Sequence, residues 1–264
     1  MNELSIEDSF EGTIGLMDIL RGDEGCPWDK EQTPKSLAPM LLEECYELID
    51  AIENENSAEI LEEIGDVLFH MAFQIHIGKS MGLFNLESVF KALHDKYIKR
   101  HPHVFADLEF EDVDELKSNW EKIKQQEKSS TRPSLIDGIP INLPSLSFAE
   151  SIQKRASKSG FDWDNPREIR DKVVEELDEI YAATNKEEIQ EEYGDLLFTI
   201  VNAARKMGVN PEQALRQTNH KFKSRFKLME SISESKGVKF SKLSIQEKDK
   251  LWEEVKLLEK CPSQ

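Results

Sequence analysis

The chain is short of cysteine, glycine, proline and basic residues, and each shortage removes a class of explanation. Its three cysteines, Cys26, Cys45 and Cys261, lie far apart, form no CxxC pair and build no disulfide framework. A reducing, cytoplasmic setting is therefore expected. Twelve glycines and ten prolines in 264 residues leave little room for a turn-rich all-β fold. No apolar run approaches the ~20 residues that a spanning helix needs, so no membrane partner is expected. The opening MNELSIEDSF is acidic and carries neither the basic nor the apolar region of a signal peptide. Bases are outnumbered, 34 against 52 acids, for a formal charge of -18. That balance repels nucleic-acid phosphates and argues against a nucleic-acid partner. It suits a protein that gathers divalent cations.

What the chain does have is a repeat. CPWDKEQ (26–32) is answered by GFDWDNP (160–166), and LEECYELIDAI by VEELDEIYAA. EEIGDVLFHMAFQI is answered by EEYGDLLFTIVNAA, and KSMGLFNLESVF by RKMGVNPEQAL. DKYIKR (95–100) then matches HKFKSR (220–225), and WEKIK (120–124) matches WEEVK (252–256). Blocks in one order at a slowly drifting offset imply two homologous domains, 1–125 and 148–264. The joining segment, 126–147, contains Pro133, Pro140 and Pro144, which remove backbone donors and disfavour helix before them. Its Leu135, Ile136, Ile139 and Ile141 predict packing against a domain.

Both copies read as helical. Ile169, Val173, Leu177 and Ile180 recur at helical spacing, and Ile189, Tyr193, Leu196, Leu197, Ile200 and Val201 form a second stripe. In the first copy, Leu41, Cys45, Leu48 and Ile52 precede Ile60, Ile64, Val67, Leu68 and Met71. The connector TNKEE is short, so the two helices it joins run antiparallel, as in a bundle. Convincing β alternation is absent. The predicted fold is all-α, in two tandem helical bundles.

Carboxylates crowd beside these stripes. Glu176 and Glu179 share one helix face, and Glu192 and Asp195 repeat that spacing on the next helix. An antiparallel pair brings all four together, where each like-charged pair ~6 Å apart costs about 0.7 kcal/mol in water. A hard divalent ion removes that cost, and an all-oxygen set suits Mg²⁺ or Mn²⁺. The first copy keeps the pattern as Glu44, Glu47, Glu63 and Asp66, and a merely solvated face has no reason to. Di-iron bundles use Glu-x-x-His, and neither ExxD here is ExxH. His70 follows Asp66 by one turn, but its counterpart is Thr199, so it reads as a packed or surface residue.

The doubled EExxE–ExxD pattern, with GCPWDKEQT, RHPHVFAD and GFDW in their places, resembles the MazG family of nucleoside triphosphate pyrophosphohydrolases. The likeness runs from about residue 8 to 258. It implies Mg²⁺-dependent hydrolysis of ribo- and deoxyribonucleoside triphosphates to monophosphate and pyrophosphate, with broad base specificity. It also implies a homodimer whose two chains build each site.

A triphosphate needs cations. Lys172 lies one turn before Glu176, and Lys221 and Arg225 are four apart on one helix face, recurring as Lys96 and Arg100. The resemblance implies phosphate contacts at the second-copy positions and base stacking on Trp252, which would tolerate every base. Trp120 recurs in the first copy, so a core role for the tryptophan stays open. The family pattern also implies a lysine one turn before the Glu of ExxD, where this sequence has Glu188, with Lys186 close by. Glu175, beside Glu176, is a candidate general base. The first copy has Met40 where the second has Lys172, so it reads as a weaker or regulatory domain. A nucleotide-sensing helical dimer without turnover remains an alternative, as does a purely structural dimer.

Overall fold

The computed structural model describes residues 7–106 and 134–260, and between them only 108, 110–113, 115–116, 119–120, 123 and 127. Among the described residues the regular structure is helical, with no strand. No helix there is long and apolar enough to cross a membrane. The chain divides into two compact units, Met1–Glu127 and Lys128–Gln264. The first contains α1 (Phe10–Leu20), α2 (Pro27–Glu31), α3 (Pro34–Glu53), α4 (Ser57–Ser80), α5 (Leu86–Arg100) and α6 (Pro102–Phe105). The second contains α7 (Ser145–Ser157), α8 (Pro166–Ala182), α9 (Lys186–Lys206), α10 (Pro211–Ser235), a 3₁₀ turn (Phe240–Lys242) and α11 (Ile245–Lys260).

Local chemistry sets where the helices begin and end. Thr33 and Ser36 form a reciprocal capping box at the start of α3, and Pro34 takes the first helical position, where no N–H is needed. Asn165 caps α8 and Asn185 caps α9, each accepting from a backbone N–H of the first turn. The helices α4 and α9 both end at a glycine in the left-handed region, Gly82 at φ 68° and Gly208 at φ 70°. The N–H of the next residue then returns to the helix, Leu83 to Gly78 and Val209 to Ala204, as in a Schellman motif. One repeated block thus encodes one repeated reversal. After α5 the units diverge: Pro102 turns His101 out of helical geometry, whereas α10 runs unbroken to Ser235.

Each unit is built on a helical hairpin, α3 with α4 and α8 with α9, joined by connectors too short for anything but antiparallel packing. The helix α1 lies on α4, and α7 lies on α9. Met17, Leu37, Phe73 and Ile77 centre the first core, and Met229, Leu251 and Val255 form a cluster between α10 and α11. The predicted stripes are only half used within one chain. Ile169, Leu196 and Val201 are buried, but Leu177, Ile189, Leu197 and Ile200 are exposed, as is Tyr193 at 53%. In the first unit Ile52, Ile64 and Leu68 are likewise exposed. The apolar stripe of each hairpin is wider than the helices that pack on it among the described residues.

The joining segment also departs from expectation. Leu135, Ile136 and Ile141 are exposed rather than packed, while Ile139 is half-buried. Polar contacts tether this stretch instead: Arg155 Nη1 of α7 donates to the Leu135 carbonyl at 3.2 Å and to the Asp137 carbonyl at 2.6 Å. Pro133 falls outside the described residues.

Candidate metal and nucleotide site

In the second unit, α8 carries Glu176 and Glu179 and α9 carries Glu192 and Asp195. One oxygen from each of Glu176, Glu179 and Glu192 lies within 4.8 Å of the others. Asp195 stands outside that group but is near enough to act on it. The Glu192 carboxyl is pushed up from its ordinary value by burial, then by the charges of Glu179, Glu176 and Asp195. Glu176 is buried, 3% exposed, and its counter-charge is Lys172, whose Nζ is 2.9 Å from Glu176 Oε1 and 2.8 Å from Glu175 Oε1. Hydrogen bonds to Glu175 and then Glu176 hold this lysine well above its usual range. Glu175 itself is largely exposed, its side chain turned to Lys172 rather than into the carboxylate group.

The first unit repeats the arrangement on α3 and α4. Glu44, Glu63 and Asp66 offer oxygens within 4.8 Å of one another, with Glu47 outside the group. Burial and then Asp66 and Glu47 raise Glu44, while burial and then Glu47, Asp66 and Glu44 raise Glu63. Glu63 Oε2 is buried with no hydrogen-bond partner. His70 is a packed residue, 7% exposed, with Nε2 3.7 Å from Glu44 Oε1. No lysine enters this cluster from the Lys172 position. Met40 sits there and packs on the Met17–Leu37–Phe73 core.

Hard oxygen donors crowded within 4.8 Å of one another, with the buried Glu63 oxygen unpartnered in the first unit, form a set that a hard divalent cation fits. Two antiparallel helices supply them, so backbone packing fixes their spacing rather than a mobile loop.

The remaining predicted residues gather on α10 and α11. Arg225 Nε and Nη2 donate to the Glu259 carboxylate, the shortest contact being 2.6 Å. The Arg225 guanidinium lies 5.3 Å from the Trp252 ring centre, and Phe222 is also 5.3 Å from that ring. Trp252 packs on the Met229–Leu251–Val255 cluster and remains partly exposed. Lys221 is exposed. Among the described residues, no hydrogen bond or ion pair joins Lys221 or Arg225 to the carboxylate group of α8 and α9.

Glu188 has a local task. It is the third residue of α9, and its carboxylate accepts from the Thr184 N–H at 2.8 Å and the Thr184 hydroxyl at 2.9 Å. The position at which the family resemblance implies a lysine thus caps the helix here. Lys186 is exposed at the first position of the same helix.

Sequence reasoning missed two interactions. Asp162 of GFDW accepts from Arg205 and pairs with Lys206 at 2.9 Å, tying that loop to the end of α9. Burial pushes its carboxyl up, but those hydrogen bonds outweigh burial and hold it below the ordinary value. The second is the partnership of Arg225 with Glu259, matched by Arg100 with Glu127. A glutamate seven residues after each tryptophan was the available signal.

Comparison with known proteins places both units. Residues 32–105 match the MazG nucleotide pyrophosphohydrolase domain, and residues 146–222 match the phosphoribosyl-ATP pyrophosphohydrolase family. The chain is 44% identical over 247 residues to the nucleoside triphosphate pyrophosphohydrolase/pyrophosphatase MazG of Thermotoga maritima, covering 94% of this chain and 95% of that one. It is 40% identical over 256 residues to the nucleoside triphosphate pyrophosphohydrolase of Escherichia coli K12, covering 94% and 97%. The nucleoside triphosphate pyrophosphohydrolase of Mycolicibacterium smegmatis is 36% identical over 186 residues, covering 63% and 56%.

Proposed function

The chain belongs to the MazG family of nucleoside triphosphate pyrophosphohydrolases, and we propose that its second unit hydrolyses ribo- and deoxyribonucleoside triphosphates to monophosphate and pyrophosphate. The observation that carries this reading is the convergence of Glu176, Glu179 and Glu192 from two antiparallel helices, with Lys172 beside them. Four carboxylates, Asp195 included, would hold Mg²⁺, or Mn²⁺ in its place. A divalent cation so held neutralises phosphate oxygens and polarises water. Lys172 exchanges its carboxylate partners for phosphate oxygens, since its ammonium is already within reach of the group. Glu175, exposed and adjacent, takes the proton of the attacking water. Lys221 and Arg225 bind the phosphates, and Trp252 stacks on the base without selecting it.

In this reading the protein is a cytoplasmic homodimer with no nucleic-acid or membrane partner. The exposed apolar positions of α8 and α9, Leu177, Ile189, Tyr193 and Leu197, support a second chain covering the hairpin. The first unit, 1–125, is regulatory or weakly active, and the segment 126–147 joins it to the catalytic unit, 148–264. Met40 favours this, because it replaces a phosphate-binding cation with a core side chain.

The test is product identification with dATP and Mg²⁺. Equimolar dAMP and pyrophosphate are expected, and loss of turnover on chelation. Binding without turnover would instead support the nucleotide-sensing alternative.

A further inference from the structure

Arginine has two edges on which it can grip an oxyanion, one formed by Nε and Nη2 and the other by Nη1 and Nη2. In Arg225 the first edge is taken: Nε lies 3.0 and 2.9 Å from the two Glu259 oxygens and Nη2 lies 2.6 Å from Oε2. Its face is taken too, at 5.3 Å from the Trp252 ring centre. Phe222 braces that ring from α10, 5.3 Å away. A planar group held by one edge and one face has little rotational freedom left. On the other edge, Nη1 carries no hydrogen bond among the described residues, and Nη2 has a second proton to offer beside it.

The first unit repeats the edge pairing. Arg100 donates from Nε at 3.1 Å and from Nη2 at 2.6 Å to Glu127 Oε2, the same edge again. Arg100 and Arg225 occupy matching positions in the repeat, and Glu127 and Glu259 each lie seven residues after the matching tryptophans, Trp120 and Trp252. The hydrogen bonds from their arginines are the first cause holding both carboxyls below their ordinary value, so both pairs stay ionised at neutral pH.

A carboxylate beside a triphosphate site is otherwise a handicap, because it repels the ligand. We propose that Glu259 is a positioning residue for nucleotide binding: it fixes the Nε edge of Arg225 and so directs the Nη1–Nη2 edge to two phosphate oxygens at once. The proposal rests on the reading above that Arg225 faces the triphosphate. Glu259 does not touch substrate; it acts by removing rotamers in which the guanidinium is lost to solvent.

The test uses the full-length protein with dATP and Mg²⁺. Glu259→Ala is expected to raise KM about tenfold with kcat little changed, the size of one lost charge-assisted hydrogen bond acting on uniform binding. Glu259→Gln, which keeps the shape and one acceptor, is expected to raise it less. The reversed pair, Arg225→Glu with Glu259→Arg, separates positioning from a plain tie between α10 and α11. It is expected to recover the melting temperature lost in Glu259→Ala while leaving KM high. Recovery of both by the reversed pair, or an unchanged KM in Glu259→Ala, overturns the proposal. If Arg225→Ala itself leaves KM unchanged, the placement of the triphosphate on this face fails first.

Discussion

Glu188 and Glu192 stand four residues apart on α9 and respond to protons in opposite ways. Glu188 is held below its ordinary value of 4.5 by the Thr184 backbone and hydroxyl, so its contribution is present above that pH and lost as pH falls through the lower folded value. Glu192 is raised by burial and by Glu179, Glu176 and Asp195, so its contribution is present below pH 4.5 and lost as pH rises through the folded value. Metal-free protein is therefore strained at the carboxylate group at neutral pH, and a cation relieves it. Two outcomes follow. The apparent affinity for Mn²⁺, read by titration calorimetry, falls on acidification toward the raised value of Glu192, and Glu192→Gln weakens binding at every pH. Glu188→Lys lowers the melting temperature, because Thr184 loses its acceptor, and does not raise kcat/KM. Helical spacing alone predicts the convergence of Glu176, Glu179 and Glu192, but not that Asp195 stands outside their group. The role of Glu188 was not legible in the sequence, because the same glutamate reads as an unfilled lysine position until its partner Thr184 is seen.

At the scale of the element, the hairpins carry the spacing of the site, and their ends are set by a few residues. Gly208 sits at φ 70° with open space around a notional Cβ, so the backbone conformation alone disfavours a side chain. Gly208→Ala is expected to cost about 1–2 kcal/mol, measured by urea denaturation. Asn185→Ala, which removes the acceptor for the Glu188 N–H, is expected to cost about 1 kcal/mol by the same measurement. The hairpin helices and their order could be read from periodicity. The extent of burial could not. A 3.6-residue stripe says that a face is apolar, not that this chain covers it, and Tyr193 and Leu197 are predicted core positions that one chain leaves exposed. The grip of Glu259 on Arg225 was hidden for a different reason. It joins two helices across 34 residues of sequence, so only the recurrence of a glutamate seven residues after each tryptophan hinted at it.

At the scale of the whole molecule, the two units hold carboxylate groups that share two corresponding positions, Glu44 with Glu176 and Glu63 with Glu192, and among the described residues only the second group is joined by a lysine. Duplication explains the shared positions, and in the proposed function the exchange of Lys172 for Met40 separates the duties of the two units. The exposed apolar stripes predict that the protein sediments as a dimer, at twice the mass of one chain, and that Tyr193→Glu with Leu197→Glu yields monomers. The most direct test of the account is pyrophosphate release from dATP and Mg²⁺ by wild type, Glu176→Ala and Glu44→Ala, each confirmed folded. Loss of release by at least about a hundredfold in Glu176→Ala, with most activity kept in Glu44→Ala, is the predicted result, since metal-held charge in phosphoryl chemistry is worth several kcal/mol. Equal loss in both variants, or full activity in Glu176→Ala, would contradict it.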